Sequence, residues 1–261
     1  MINKKLLQWL NIITFIATFA INYLATGLEL GGYNTGELSD LIPNLFVPAG
    51  ITFSIWGVIY FFLAAFSVYQ GRDLFKDNKI DMPYVDKIGY YFIISNIANA
   101  AWIFFWQLQI IMPITLPFSL GAMFIILLSL IMIYLKLEIG KADISRGERV
   151  WVHTPFSIYL GWITVATIAN VTTILVTGGV AAFGPIAEFL TIFVIIVAVI
   201  ITYLMLILRK DWVYSLVIVW ATLGIYLKQS TGNPTIAITA ITAVIVVAIG
   251  IVLTGYRILK K

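Results

Sequence analysis

Residues 6–28 read LLQWLNIITFIATFAINYLATGL, an uncharged and largely apolar run behind Lys4 and Lys5. Whether this run is a leader or a span decides the fold. A spanning helix needs about 20 apolar residues at about 1.5 Å each, whereas a secretory leader has a shorter apolar region ending in a small-residue cleavage site. Here the run is too long for a leader, Asn11 and Asn22 interrupt it, and no A-x-A site follows. It is read as a first membrane span. Gln8, Asn11, Phe15, Thr18 and Asn22 succeed one another in steps of three and four, which puts them on one helical face. Polar side chains are costly against lipid, so that face is expected to point inward.

The rest of the chain agrees with a membrane reading. It is 61% hydrophobic and 11% charged, with a mean hydropathy of +1.02. Soluble domains carry about 25% charged residues. Seven further apolar segments follow, at about 51–70, 90–109, 113–135, 155–177, 185–208, 212–227 and 235–256. They are too long for barrel strands of about 10 alternating residues. The fold class expected is an all-α integral membrane protein, a bundle of eight transmembrane helices.

The basic residues test that count. Lys4, Lys5, Arg72, Lys76, Lys79, Lys87, Lys136, Lys141, Arg146, Arg149, Arg209, Lys210, Arg257, Lys260 and Lys261 all fall on one side of the eight-span scheme, and Lys228 alone falls on the other. The positive-inside rule then predicts a multi-pass protein of the plasma membrane with both termini cytoplasmic. The net charge of +4 and pI near 9.2 are accounted for by these loops, so no nucleic-acid partner is called for. The chain has no cysteine, which excludes disulfides, thiol catalysis and thiolate metal sites.

One expected outer loop is long. Residues 29–49, ELGGYNTGELSDLIPNLFVPA, hold Glu29, Glu37 and Asp40, no basic residue and several turn formers. Long irregular loops are often lids. Its apolar residues Leu41, Ile42, Leu45, Phe46 and Val47 suggest that it folds back over the helix ends. Behind it comes FVPAGITFSIWGVIY, residues 46–60, with Trp56 about five residues into its helix and Tyr60 one turn further.

Two more polar stripes recur. The third span has Ser95, Asn99, Trp102 and Trp106; the fifth has Tyr159, Trp162, Ala166 and Asn170, with Thr167 beside them. Two readings stay open. The stripes are interhelical glue, or they line a pocket of aromatics and amides for a small hydrophobic or aromatic ligand. Trp9, Trp106, Trp151 and Trp212 lie near span ends and are read as interface anchors. His153 is read as a solvated loop residue, and Glu188 as a first-turn acid favoured by the helix dipole behind Pro185, with a proton or cation site for coupled transport as the alternative. No metal cluster, phosphate loop, Ser-His-Asp set or carboxylate pair is seen, so an enzyme is not expected.

Three stretches together resemble the tryptophan-rich sensory protein and translocator protein family (TspO/MBR, the peripheral benzodiazepine receptor family). Its second-helix pattern W-x-x-x-Y behind a Pro is matched by Pro48, Trp56 and Tyr60. Its third-helix N-x-x-W is matched by Asn99 and Trp102 in NAAWIFFW, and its fifth-helix W-x-x-x-A-T-x-x-N by Trp162, Ala166, Thr167 and Asn170 in WITVATIAN. The chain departs from the family at Gly50 or Ile51, where a second Trp is common, and at Ile158, where a Pro is usual. Most members have five spans. The resemblance therefore implies a core over 1–177 with three additional transmembrane helices over 178–261.

The resemblance also implies a ligand pocket under the loop between the first two helices. Its ligand-binding residues would be Trp56, Tyr60, Asn99, Trp102, Trp162, Ala166 and Asn170. The implied ligand is a porphyrin or other tetrapyrrole, or a sterol-like lipid, bound by a sensor or carrier; no cofactor or metal is implied. A secondary transporter for a small solute and a scaffold without ligand remain alternatives, and a homodimer is left open. The partners expected are the lipid bilayer and a small hydrophobic ligand.

Overall fold

The computed structural model describes residues 3–77 and 80–260, without the side chains of residues 258 and 259. Lys79 and Lys261, two of the basic residues counted above, lie outside the described residues. Among the described residues every regular element is helical. α1 (Lys4–Gly27) is capped by Asn3, whose side chain accepts from the Lys5 and Leu6 amides. That satisfies donors which a first helical turn leaves unpaired.

The short α2 (Thr35–Asp40) and a 3₁₀ turn, Gly50–Ser54, precede α3 (Ile55–Gln70). Next come α4 (Pro83–Ile88), α5 (Tyr91–Leu108) and α6 (Thr115–Lys136). α7 (Arg146–Glu148) runs through a π-helical turn, Arg149–His153, into α8 (Thr154–Thr177). α9 (Pro185–Arg209), α10 (Trp212–Gln229) and α11 (Pro234–Leu259) complete the chain. Pro opens α4, α9 and α11, where its missing N–H costs nothing. Asp211 caps α10 and Asn233 caps α11.

The protein is an all-α integral membrane protein. Among the described residues six helical segments are long and apolar enough to cross a bilayer: Lys4–Gly27, Gly50–Gln70, Thr115–Lys136, Arg146–Thr177, Pro185–Arg209 and Pro234–Arg257. α5 and α10, of 18 residues each, are more polar and fall short of that apolarity. The chain divides into two compact units, Met1–Asn34 with Trp56–Ile163 and Thr35–Ile55 with Thr164–Lys261.

In the first unit, α5 packs along α6 and α1. Gln8, Asn11, Phe15, Thr18 and Asn22 are the buried face of α1, while Ile13, Ile16 and Tyr23 are exposed. This is the reverse of a water-soluble helix and suits a lipid surround. The inward amides are bonded between helices. Asn11 Nδ2 donates to Gln70 Oε1 at 3.0 Å, and Gln8 Nε2 donates to the Gln70 carbonyl at 2.6 Å and to Asp73 Oδ1 at 2.8 Å. Thr18 Oγ1 donates to the Asn96 carbonyl at 2.9 Å. On α1, therefore, the stripe acts as glue between helices. Phe66, Phe92 and Phe156 meet edge to face at 5.0–5.6 Å and form an apolar core. His153 is buried on the π-helical turn, contrary to the solvated position expected from its loop.

In the second unit, α10 packs on α11 and α9, and α11 on α9. The segment 35–55 lies along α10. The Ala49 amide donates to the Gly224 carbonyl at 3.0 Å, and Trp220 Nε1 donates to the Thr52 carbonyl at 2.9 Å. Gln229 Nε2 donates to the Leu45 carbonyl at 3.2 Å, and Lys228 pairs with Asp40. Most of the long loop is thus a strap on α10. Lys228 supplies the strap's charge partner.

Candidate functional site

Trp56 is the centre of an aromatic cluster in the first unit. Its indole stacks on Trp102 at 5.5 Å and on Tyr60 at 5.6 Å, and meets Tyr159 at 6.2 Å and Trp162 at 6.4 Å edge to face. Three helices supply these rings. Trp56 and Tyr60 are one turn apart on α3, Trp102 comes from α5, and Tyr159 and Trp162 come from the first turns of α8. Trp102 stacks in turn on Trp106 at 6.1 Å, one turn along α5. Each such ring pair contributes about 0.5–1.5 kcal/mol beyond the area it buries. Trp102 and Trp162 are 4% and 2% exposed, whereas Trp56 and Tyr60 are only half-buried.

The cluster has a polar hub at Asn99. Its Nδ2 donates to the Tyr159 hydroxyl at 2.7 Å, and its Oδ1 accepts from Asn22 Nδ2 at 2.8 Å and more weakly from the Tyr60 hydroxyl at 3.5 Å. Asn22 also donates to the Thr18 carbonyl on its own helix. The hub therefore joins α1, α3, α5 and α8 and fixes the tilt of the two tyrosine rings.

Five of the seven residues expected at the site, Trp56, Tyr60, Asn99, Trp102 and Trp162, are brought together here. Ala166 and Asn170 follow Trp162 on α8 but belong to the second unit, Asn170 buried and Ala166 half-buried. Trp106 is 4% exposed and stacked within the cluster. It is not the interface anchor that its place near a span end suggested, because α5 turns that face toward protein. Trp212, by contrast, is exposed at the start of α10.

Sequence reading missed the glutamines that end two of these helices. Gln70 locks α3 to α1, as described above. Gln107 Nε2 donates to the Ala25 carbonyl at 3.0 Å and to the Tyr33 carbonyl at 3.1 Å, so it holds the chain beyond α1 against α5. Glutamine at a span end reads as ordinary interfacial polarity. Gln70 continues the face of Trp56 and Tyr60 through Leu63 and Ser67 in steps of three and four, a signal that could have found it; Gln107, one position past Trp106, lies off the Asn99, Trp102 and Trp106 stripe, and spacing does not single it out.

Several buried polar atoms near the cluster have no hydrogen-bond partner: Trp102 Nε1, Trp106 Nε1, Gln107 Oε1 and both amide atoms of Gln109. Leaving such a group unpaired costs about 1–3 kcal/mol. Among the described residues no group of three His, Asp or Glu side chains gathers that could hold a metal.

A model of the TSPO-like protein family covers residues 8–253, nearly the whole chain. Neither a curated protein nor a solved structure matches it.

Proposed function

The chain belongs to the TSPO-like protein family, and from that premise we propose that it binds a small hydrophobic or aromatic ligand in the membrane, as a sensor or carrier. The carrying observation is the half-buried Trp56, with Trp102, Tyr60, Tyr159 and Trp162 ranged around its ring. A flat ligand such as a porphyrin, or a sterol-like lipid, would stack against indole faces while amides hold its polar edge. This reading rests on the five residues gathered in the first unit. Ala166 and Asn170 enter it through the family's fifth-helix motif alone.

The reading keeps 1–177 as the ligand-binding core and counts α5 and α10 as spans as well. That makes eight, with both termini cytoplasmic by the distribution of Lys and Arg. A second reading, a scaffold without ligand, draws on one observation: the Asn99 amide already bonds within the protein at both ends.

Tryptophan fluorescence quenching by a porphyrin and sterol panel in detergent separates the two. Trp56→Ala is expected to weaken ligand binding about tenfold or more, from lost stacking and lost burial. Asn99→Leu is expected to weaken it too, because the tyrosines lose their anchor. Unchanged affinity with lowered melting in both variants would overturn the ligand reading in favour of the scaffold.

A further inference from the structure

A second group of buried, unpartnered side chains lies at the other end of the first unit, 13 residues and about 20 Å along α3 from Trp56. Arg72 follows the end of α3, and its guanidinium lies 3.8 Å over the Tyr69 ring. Tyr69 stacks in turn on Tyr84 of α4 at 6.1 Å. Its hydroxyl presses on α7, where a methyl at Gly147 would meet it at 2.9 Å. The stack thus joins α3, α4 and α7. Two groups at this end are buried without a hydrogen-bond partner: the hydroxyl of Tyr84, 2% exposed, and Nε2 of His153, 5% exposed.

Charges close around both. The charge of Arg72 acts on Tyr84 and Glu148, that of Lys87 on Glu148 and His153, and that of Arg149 on His153. Lys87 and Arg149 are exposed, and Arg72 and Glu148 are half-buried. Among the described residues none of the three cations forms an ion pair. Asp73 also faces Tyr84, but its carboxylate is bonded to Gln8 and to the Ile80 amide. Apart from Asp73, the charges that act here are three cations and one carboxylate. An unpaired buried hydroxyl or ring nitrogen costs about 1–3 kcal/mol, and protein interiors rarely keep one without a use. The tyrosine hydroxyl can donate, and so can Nε2 in the tautomer that carries the proton there. Donors and positive charge from three segments suit a tetrahedral oxyanion, which accepts several hydrogen bonds at once. A cation would be repelled, and an apolar group would leave both donors unpaired.

We infer that this end of the first unit, between the end of α3, α4 and the π-helical turn, is a binding site for a phosphate group. The Tyr84 hydroxyl and His153 Nε2 donate to its oxygens, Arg72, Lys87 and Arg149 supply opposite charge, and Glu148 competes with it. The distribution of Lys and Arg assigns this end to the cytoplasmic surface, where a phosphate group comes either on an anionic lipid or free in solution. The site shares no residue with the aromatic cluster and stands whether or not that cluster binds a ligand.

The test is calorimetric titration of the full chain in an uncharged detergent with three probes: dihexanoylphosphatidic acid, inorganic phosphate, and dihexanoylglycerol, which has the acyl chains without the phosphate. Binding of phosphatidic acid alone assigns the site to a lipid headgroup, and binding of inorganic phosphate assigns it to the free anion. Tyr84→Phe removes only the unpartnered hydroxyl. It is expected to melt no lower than the parent and to weaken phosphate binding about tenfold. Lys87→Gln, at an exposed position, is expected to weaken it about threefold, and Glu148→Gln to strengthen it about as much. Should Tyr84→Phe melt well below the parent, Lys87→Gln decides. The site is overturned if neither phosphate compound binds, if dihexanoylglycerol binds as tightly as phosphatidic acid, or if the deciding variant leaves phosphate binding unchanged.

Discussion

Gly224→Ala probes the strap where it lies closest to α10. A methyl group at Gly224 would sit 2.8 Å from Thr52 Cγ2 and 2.9 Å from Pro48 Cβ, with Thr52 Oγ1 closer still. Carbon atoms pack at about 3.5–4.0 Å, so the strap would have to retreat by about 0.7 Å or more. It is not free to do so. The Ala49 amide is bonded to the Gly224 carbonyl itself, and Trp220 holds the Thr52 carbonyl from the same helix. Overpacking costs about 1–3 kcal/mol, and losing the two bonds instead costs about 0.5–1.5 kcal/mol each. Against this, Ala improves helix propensity by about 1 kcal/mol over Gly. The net expectation is a loss of about 0–2 kcal/mol, and of about 1–3 kcal/mol relative to a Gly→Ala change that meets no neighbour.

Gly255→Ala is the control, since a methyl there meets nothing within 4 Å. It should be neutral or slightly stabilising. Because the chain has no cysteine, a single Leu45→Cys reports on the strap, where Leu45 is buried. On that background Gly224→Ala should melt below the Gly255→Ala control and label faster with a thiol reagent. Equal melting and equal labelling would refute the close approach of strap and helix.

Three further outcomes are expected. Gly31→Ala should lower melting more than Gly32→Ala. Both residues have φ near +90°, but only at Gly31 would the methyl run into the Gln107 carbonyl oxygen, and equal shifts would contradict the fastening of this turn to α5. Glu188 accepts from Asn233 Nδ2 at 2.7 Å while Asn233 Oδ1 caps α11, so Glu188→Gln, which can still accept, should cost less than about 1 kcal/mol and leave ligand affinity unchanged. Loss of pH-dependent uptake into vesicles by that variant would instead point to coupled transport. Topology reporters after Lys261 and in the 71–89 loop should read cytoplasmic and one near Asn34 external; an external C-terminal reporter would break the eight-span count.

The sequence by itself determined where the helices run and which of their faces turn inward. The reason is local: polar residues at steps of three and four can only lie on one helical face, and lipid makes the outside of that face unfavourable. Gln8, Asn11, Thr18 and Asn22 are buried on α1 as that argument requires, and Trp56, Tyr60, Asn99, Trp102 and Trp162 meet. Spacing along one helix says nothing about which partner waits across from it. That Asn22 meets Asn99, that Gln107 grips the chain beyond α1, and that Trp106 stacks inside rather than anchoring at an interface were decided by tertiary packing. The strap is the clearest case. Lys228 and Asp40 lie 188 residues apart, and no local pattern in residues 29–49 marks α10 as their support. Only the folded chain brings Gly224, which has no side chain to obstruct, under Pro48 and Thr52, and so lets a loop backbone close on a helix.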